Sequence, residues 1–234
     1  MSKQLTSVIF SPHCDDAFLA MGGWILAHIE DVHVVDIFAT CAWTTDEANF
    51  SSEELTVINQ TEERKLAKEV GVALSLYEYP EALLRGYKEW NAPQLLADDA
   101  SLAVEINKTM KEHIKGVKQV YFPLAPGHHV DHVIVHEQMT KLFDEMAGVD
   151  IEVYVYEDLP YSWYGGVDER IASLQETFQV VPEVFDITDR YEQKEELLGI
   201  YKSQLGVDDL RKVREYSASI MPGKYSERIW KISK

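Results

Sequence analysis

Basic side chains are scarce in this 234-residue chain, with 22 Lys and Arg set against 40 Asp and Glu for a formal net charge of −18. Nucleic acids and anionic bilayers are held by clustered Lys and Arg, so this balance argues against both as partners. Cysteine is scarcer still. Cys14 and Cys41 are the two in the chain, too few for a disulfide framework and suited to a reducing compartment. The N-terminal MSKQLTSVIFSPH carries no signal-peptide core. No apolar run reaches the roughly 18 residues that span a bilayer, so a soluble, cytoplasmic protein is expected. No Pro/Gly/Ser-rich linker or internal repeat divides the sequence, and 46% hydrophobic residues suffice for one substantial core. One domain over 1–234 is therefore expected. A Gly-rich phosphate loop is missing as well: the first apolar run empties into SPHCDD, not G-x-G-x-x-G. Gly22-Gly23 lies too far into the next helix to serve, which removes a nucleotide-dependent transferase.

What the chain does have is a strand-to-helix junction dense in chemistry. Val8-Ile9-Phe10 reads as a strand, and within a few residues come His13, Asp15 and Asp16, ahead of a helix over 17–29. Open α/β sheets keep their chemistry at the carboxyl edge of such strands. One imidazole and two carboxylates suit a divalent metal, with one carboxylate to spare as a base. The plain alternative is an Asp that only caps the helix.

Alternation continues. Strands are expected at 33–40, 74–79, 119–122 and 151–156, with helices at 53–70, 101–114 and 130–146 between them. Right-handed crossovers then give a mostly parallel, Rossmann-like α/β sheet between helices. Beyond 160 the pattern is less regular: a short helix over 169–177, an extended piece over 178–187, helices over 188–205 and 208–217, and room for an antiparallel hairpin. The 41–52 and 81–98 stretches read as loops, the first as a flexible substrate loop.

The fourth strand empties into a second dense stretch, PGHHVDH, so that four of the eight histidines, His13, His128, His129 and His132, fall in two short segments. Both segments follow strands, so His129, Asp131 and His132 share the rim with His13, as a grafted active site requires. His132 and His136, one helical turn apart, form a rival metal pair, but Val133 stands where the zincin helix has its Glu.

Ser11-Pro12-His13-Cys14-Asp15-Asp16 resembles the Pro-His-x-Asp-Asp motif of the PIG-L/LmbE-like zinc de-N-acetylases. His129-Val130-Asp131-His132 resembles their second motif, His-x-Asp-His. Glu62, the turn Tyr156-Glu157-Asp158-Leu159-Pro160-Tyr161 and Tyr201-Lys202-Ser203-Gln204 also match pieces of one branch of the family, in order. The resemblance implies an LmbE-like fold and removal of an N-acyl group, usually N-acetyl on a glucosamine-type sugar. It implies Zn²⁺ (Fe²⁺ being the alternative an N/O site also suits) held by His13, Asp16 and His132. It makes Asp15 the general base, His129 the group that stabilises the transition state, and Asp131 the partner that orients His129. Three departures stand out: Ala17 where the commoner motif has Glu, Cys14 where Pro or Leu is usual, and Asn59 where many members carry Arg. Arg85 is the expected substrate clamp and Trp43 a ring platform, with Trp90, Trp163 and Tyr164 as further stacking candidates. An amidase acting on a sugar–thiol conjugate fits the same motifs. A sugar-binding or regulatory protein with a retained metal site is the reading from another class, and the intact Asp15 speaks against it. Monomer and homo-oligomer are both left open.

Overall fold

A computed structural model describes residues 5–46, 48–92, 94–146 and 150–234. Positions 1–4 of the expected N-terminus, Glu47 of the 41–52 loop and Pro93 of the 81–98 loop lie outside them. Four strands alternate with helices as the sequence suggests: β1 (Ser7–Ser11), α1 (Asp16–His28), β2 (Val32–Asp36), α2 (Ser52–Val70), β3 (Ala73–Leu76), α3 (Asp99–His113), β4 (Gln119–Pro123) and α4 (Val130–Glu145). Then come β5 (Glu152–Tyr156), α5 (Val167–Gln175), β6 (Gln179–Asp186), α6 (Tyr191–Leu198), α7 (Val207–Ile220) and β7 (Ser226–Ser233). The sheet runs β3-β2-β1-β4-β5-β7-β6. Its first five positions are parallel, while β7 is antiparallel to both β5 and β6.

The central strands are parallel because their faces are both covered. Val8 and Phe10 point into one apolar layer with Val35, Val120, Ile134 and Val155, and Ile9 points into the other with Val34, Leu66 and Tyr121. A strand buried on both faces needs a continuous apolar run, and VIF is one. α2 starts on a capping box, Ser51 with Glu54, and stops at Gly71 in the left-handed conformation (φ 88°). Midway along it Glu62 accepts from Ser203 N–H (3.1 Å) and Oγ (2.6 Å), joining two of the motif pieces.

Two segments differ from expectation. The helix expected over 188–205 ends at Leu198, and residues 201–205 turn back to hold the loop after β2. Ser203 O accepts from Thr45 N–H (2.8 Å) and Thr44 Oγ1 (2.9 Å), and Gln204 Nε2 donates to Trp43 O (3.1 Å). The expected flexible loop is thus pinned to a turn distant in sequence. The antiparallel pair exists, but as β6 with β7, the second strand arriving only after two intervening helices.

α1 carries a break. Met21 leaves helical geometry (φ −124°, ψ 16°), so the Gly23 and Trp24 amides lose their normal partners. The buried Glu227 carboxylate of β7 accepts both, each at 2.8 Å, and pairs with Lys194 Nζ (2.8 Å), which also donates to Leu19 O (2.7 Å). Gly23 is required here, because a Cβ would sit 2.6 Å from Ile187.

Candidate active site

β1 and β4 are neighbours whose following helices leave in opposite directions along the sheet, so a crevice opens between their carboxyl ends. Ser11, the last residue of β1, shapes the turn: its Oγ donates to His13 O (2.6 Å) and accepts the Ala17 amide (3.0 Å). That leaves the Asp15 side chain without a capping bond, although Asp15 stands at the N-cap of α1. The plain reading of this aspartate as a helix cap therefore fails, and its carboxylate faces the crevice instead.

Asp16 turns inward. Its Oδ2 lies 3.2 Å from His13 Nδ1 and 3.1 Å from His132 Nε2, and it accepts the His13 amide at 2.9 Å. Three ligand-type atoms, from the turn after β1, the start of α1 and the first turn of α4, thus meet at one point. The opposite nitrogens are held by carboxylates: His13 Nε2 lies 3.0 Å from Asp131 Oδ2, and His132 Nδ1 2.5 Å from Asp158 Oδ1. Asp158 is fixed in turn by the Ala125 amide (2.8 Å). An imidazole whose far nitrogen donates to a carboxylate presents its near nitrogen's lone pair, the arrangement that ligating histidines adopt. His132 Nε2 is buried, and apart from the 3.1 Å approach of Asp16 Oδ2 it makes no hydrogen bond among the described residues. A buried polar atom of this kind is costly unless something occupies the point it faces.

The charges at the site agree with the geometry. Burial alone would lower the His132 pKa, but Asp16 and Asp158 outweigh it and hold the ring at about 9. Burial would likewise raise Asp16, yet His132 and His13 keep it well below the usual carboxylate range. Carboxylates therefore favour positive charge where the three atoms meet, and an N₂O donor set suits Zn²⁺ or Fe²⁺. Asp15 behaves in the opposite way. Burial, then the neighbouring Asp16 charge, push it up to about 8, and a dication alongside would draw it down again.

The second motif rearranges one expectation. Asp131 was assigned to His129, but its Oδ2 is 3.0 Å from His13 and 3.9 Å from His129 Nδ1. His129 is itself the cap of α4, its Nδ1 accepting the Asp131 amide at 3.2 Å. The reason is the wall behind Asp131: the Ala82 amide donates to Oδ2 (2.9 Å) and Arg85 Nη1 to Oδ1 (2.7 Å), which turns the carboxylate towards His13. Having accepted that amide, Nδ1 carries no proton, so Nε2 bears the hydrogen of the neutral ring. Burial, then His13 and His132, keep His129 well below its ordinary pKa.

Arg85 is put to a different use from the expected clamp. Its Nε donates to Asp99 (2.7 Å) and its Nη1 to Asp131 and to Pro80 O (2.6 Å), its buried Nη2 has no hydrogen-bond partner among the described residues, and it does not line the cavity. Trp43 does line it, half exposed, and Trp90 stacks on the His129 ring at 5.4 Å and 15°. Tyr161 closes the other side over Gly127, where a Cβ would be 2.8 Å from its ring. Trp163 turns away and donates to Glu215 (3.0 Å). His136 Nδ1 donates to Pro123 O (2.8 Å), and burial drops its pKa to about 3, so the rival pair does not form. The cavity so enclosed measures about 800 Å³. Asp158 is the site residue that sequence reasoning did not single out. Its signal was the family-like turn 156–161, an acidic pair just after the strand next to β4, from which no single residue was chosen.

Residues 8–143, more than half of the chain, match the family model for GlcNAc-PI de-N-acetylase, PIG-L. This chain belongs to the PIG-L family. A similar protein is 2'-N-acetylparomamine deacetylase of Streptomyces fradiae, 25% identical over 228 residues that cover 94% of this chain and 81% of that one. Among solved structures, the zinc-inhibited form of teicoplanin deacetylase Orf2 superposes with a TM-score of 0.78 at 19% identity, covering 97% of this chain and 98% of that one. N,N'-diacetylchitobiose deacetylase from Pyrococcus horikoshii gives 0.67 at 20% identity, over 97% of this chain and 83% of that one. The PIG-L chain described here shares their fold, an LmbE-like α/β sheet.

Proposed function

We propose that this protein is a divalent-metal amidase that removes an N-acetyl group from an amino-sugar derivative. The observation that carries the reading is the convergence of His13 Nδ1, Asp16 Oδ2 and His132 Nε2, with the far nitrogens tied to Asp131 and Asp158 and the Asp15 carboxylate left unspent beside them. His13, Asp16 and His132 would hold Zn²⁺, or Fe²⁺. When bound, the ion supplies a Lewis acid that polarises the acyl oxygen and acidifies water.

The chain's own groups do the rest. Asp15 is placed to take a proton from the attacking water as general base. His129 Nε2–H faces the cavity and donates to the acyl oxygen as negative charge develops on it, in a setting where Trp90 and Tyr161 exclude water. A protonated Asp15 can then return its proton to the leaving amine. Asp131 and Asp158 act on His13 and His132, fixing tautomer and orientation. The relatives named as acting on 2'-N-acetylparomamine and N,N'-diacetylchitobiose support an N-acetylated amino sugar as substrate.

The test pairs metal content by emission spectrometry with acetate release from N-acetylated sugars, on the wild type, His13→Ala and His132→Ala. About one ion per wild-type chain, lost in both variants together with acetate release, is the expected result. A metal-free wild type purified without chelator would sink the reading.

A further inference from the structure

The walls of the cavity have one sign of charge. Beyond Asp15 and Asp16 at its floor, carboxylates come from Glu81 on the loop after β3, Glu169 in the first turn of α5 and Asp209 in the first turn of α7. Among the described residues, no Lys or Arg lines it. The nearby cations are already engaged: Arg85 faces Asp131 and Asp99, Arg170 donates to Leu124 O (3.1 Å), and Lys212 pairs with Asp208 (2.9 Å) and Asp209 (3.2 Å). Asp209 is thereby neutralised. Glu169 has no ion-pair partner among the described residues, and Glu81 accepts only the Ala42 amide. A bound dication would not reverse the sign, because Asp16, Asp131 and Asp158 surround its position and the whole chain carries −18. A low-dielectric cleft lined by one sign of charge concentrates the opposite ion.

A second observation shows that this acidic wall faces a ligand. His129, 7% exposed, lines the same cavity, and with Nδ1 taken by the Asp131 amide its Nε2 has no hydrogen-bond partner among the described residues. At the mouth, Trp43 (51% exposed) presents an aromatic face that suits both sugar C–H groups and ammonium cations, while the Tyr164 ring already carries the Lys212 ammonium at 5.1 Å. Resting on the amidase reading above, we infer that the substrate is a cationic amino sugar: an N-acetylated oligosaccharide or pseudo-oligosaccharide that keeps at least one free ammonium group, held by Glu81 and Glu169 while the acetamide reaches His129. Neutral acetylated sugars lack this contact, and anionic sugar phosphates are repelled.

The test uses one scaffold in two charge states, neutral N,N'-diacetylchitobiose and its mono-N-acetyl counterpart acetylated on the non-reducing sugar, with the zinc-loaded protein. KM is expected to be about 5-fold or more lower for the mono-acetyl compound, an advantage that disappears in about 1 M NaCl. Glu169→Gln and Glu81→Gln should each raise that KM about 2- to 5-fold and leave KM for the neutral sugar unchanged. Equal KM values for the two sugars, or variants that shift both alike, would overturn the inference while the amidase reading stood. If neither sugar releases acetate, the amidase reading falls. Calorimetric titration with doubly cationic chitobiose against the neutral diacetyl form then decides the cation preference by itself: tighter, salt-sensitive binding of the cation sustains it, and equal or absent binding ends it.

Discussion

Two buried charged clusters lie in this fold, one on either side of α1, and they differ in what they leave undone. At the α1 break, Lys194 and Glu227 are both nearly inaccessible, and every strong donor and acceptor is matched: two amides and an ammonium on the carboxylate, a carbonyl and a carboxylate on the lysine. Neither Lys194 nor Glu227 lines the 800 Å³ cavity. At the carboxyl edge, Asp16, His132, Asp131 and Asp158 are as well buried and His13 is partly so, but Asp15 is uncommitted, His132 Nε2 meets only Asp16, and the 800 Å³ cavity reaches the floor. Burial of charge alone therefore does not mark a functional site. What marks one is burial together with incomplete internal pairing and access from outside.

The comparison breaks most visibly at the ligands. Asp16→Ala or His132→Ala should abolish metal retention and drop acetate release by more than about 10⁴-fold, the upper range for a single catalytic group. Asp15→Asn should separate the roles, lowering kcat by about 10²–10⁴ while metal content stays at the wild-type level. An Asp15 variant that loses the metal as well would place this carboxylate among the ligands rather than beside them.

The structural cluster should show the converse pattern. Lys194→Met leaves Glu227 buried with two amides but no counter-ion, and breaking a buried pair in this way costs about 3–5 kcal/mol. For a chain of this size that corresponds to a fall of roughly 10 °C in Tm. Metal affinity and kcat of the remaining folded protein should be unchanged. A Lys194 variant with wild-type Tm but weakened metal binding would show that the two clusters are coupled through α1.

Arg85 lies between the two cases, a cation that serves the open site through Nε and Nη1 while its Nη2 stays buried without a hydrogen-bond partner among the described residues. Arg85→Met should weaken metal affinity by about 10- to 100-fold, as loss of groups that support ligands does. Arg85→Lys should recover part of it, since one ammonium can reach Asp131 or Asp99 but not both. Competition with a chelator reads the affinity directly, without reference to turnover. A raised KM with unchanged metal affinity would return Arg85 to the substrate clamp that the sequence suggests.

Arg85 shows where sequence reading stops. The two metal motifs were legible because each follows a strand of continuous apolar residues, and parallel topology then brings both ends to one rim. Arg85 was visible as a cation on a loop, but its partner Asp99 is fourteen residues away in a stretch without periodicity, so nothing local showed that its charge was already taken. Asp131 sits two residues from His129, which suggests a pair; the backbone turn into α4 sends the two side chains apart. β7 escaped notice because SERIWKIS alternates around charged residues that snorkel or pair, Arg228 with Glu157 (2.6 Å) and Lys231 with Glu152, while the strand that it completes lies three elements upstream. Registers between distant segments, and the partners they create, are not written in either segment alone.

The smallest effect concerns Glu63, which belongs to neither cluster outright. Its carboxylate is buried and receives the Tyr201 hydroxyl. Burial, with Asp16 adding to it, pushes its pKa up to about 7, and the Tyr201 hydrogen bond only partly offsets this. The folded state thus binds the Glu63 proton more tightly than the unfolded chain does. Stability should accordingly fall as pH rises from the ordinary glutamate range, near 4.5, to about 7, and this contribution should level off above that. Glu63→Gln removes the titration while keeping an acceptor for Tyr201. Chelated Glu63→Gln protein should match wild type near pH 4.5 and exceed it by about 1–2 kcal/mol at pH 8, a Tm gain of a few degrees. Adding the metal should shrink the gain, because a dication near Asp16 offsets the repulsion that helps to raise Glu63. An advantage of the same size with and without metal would mean that Glu63 answers to burial alone and is electrostatically independent of the site.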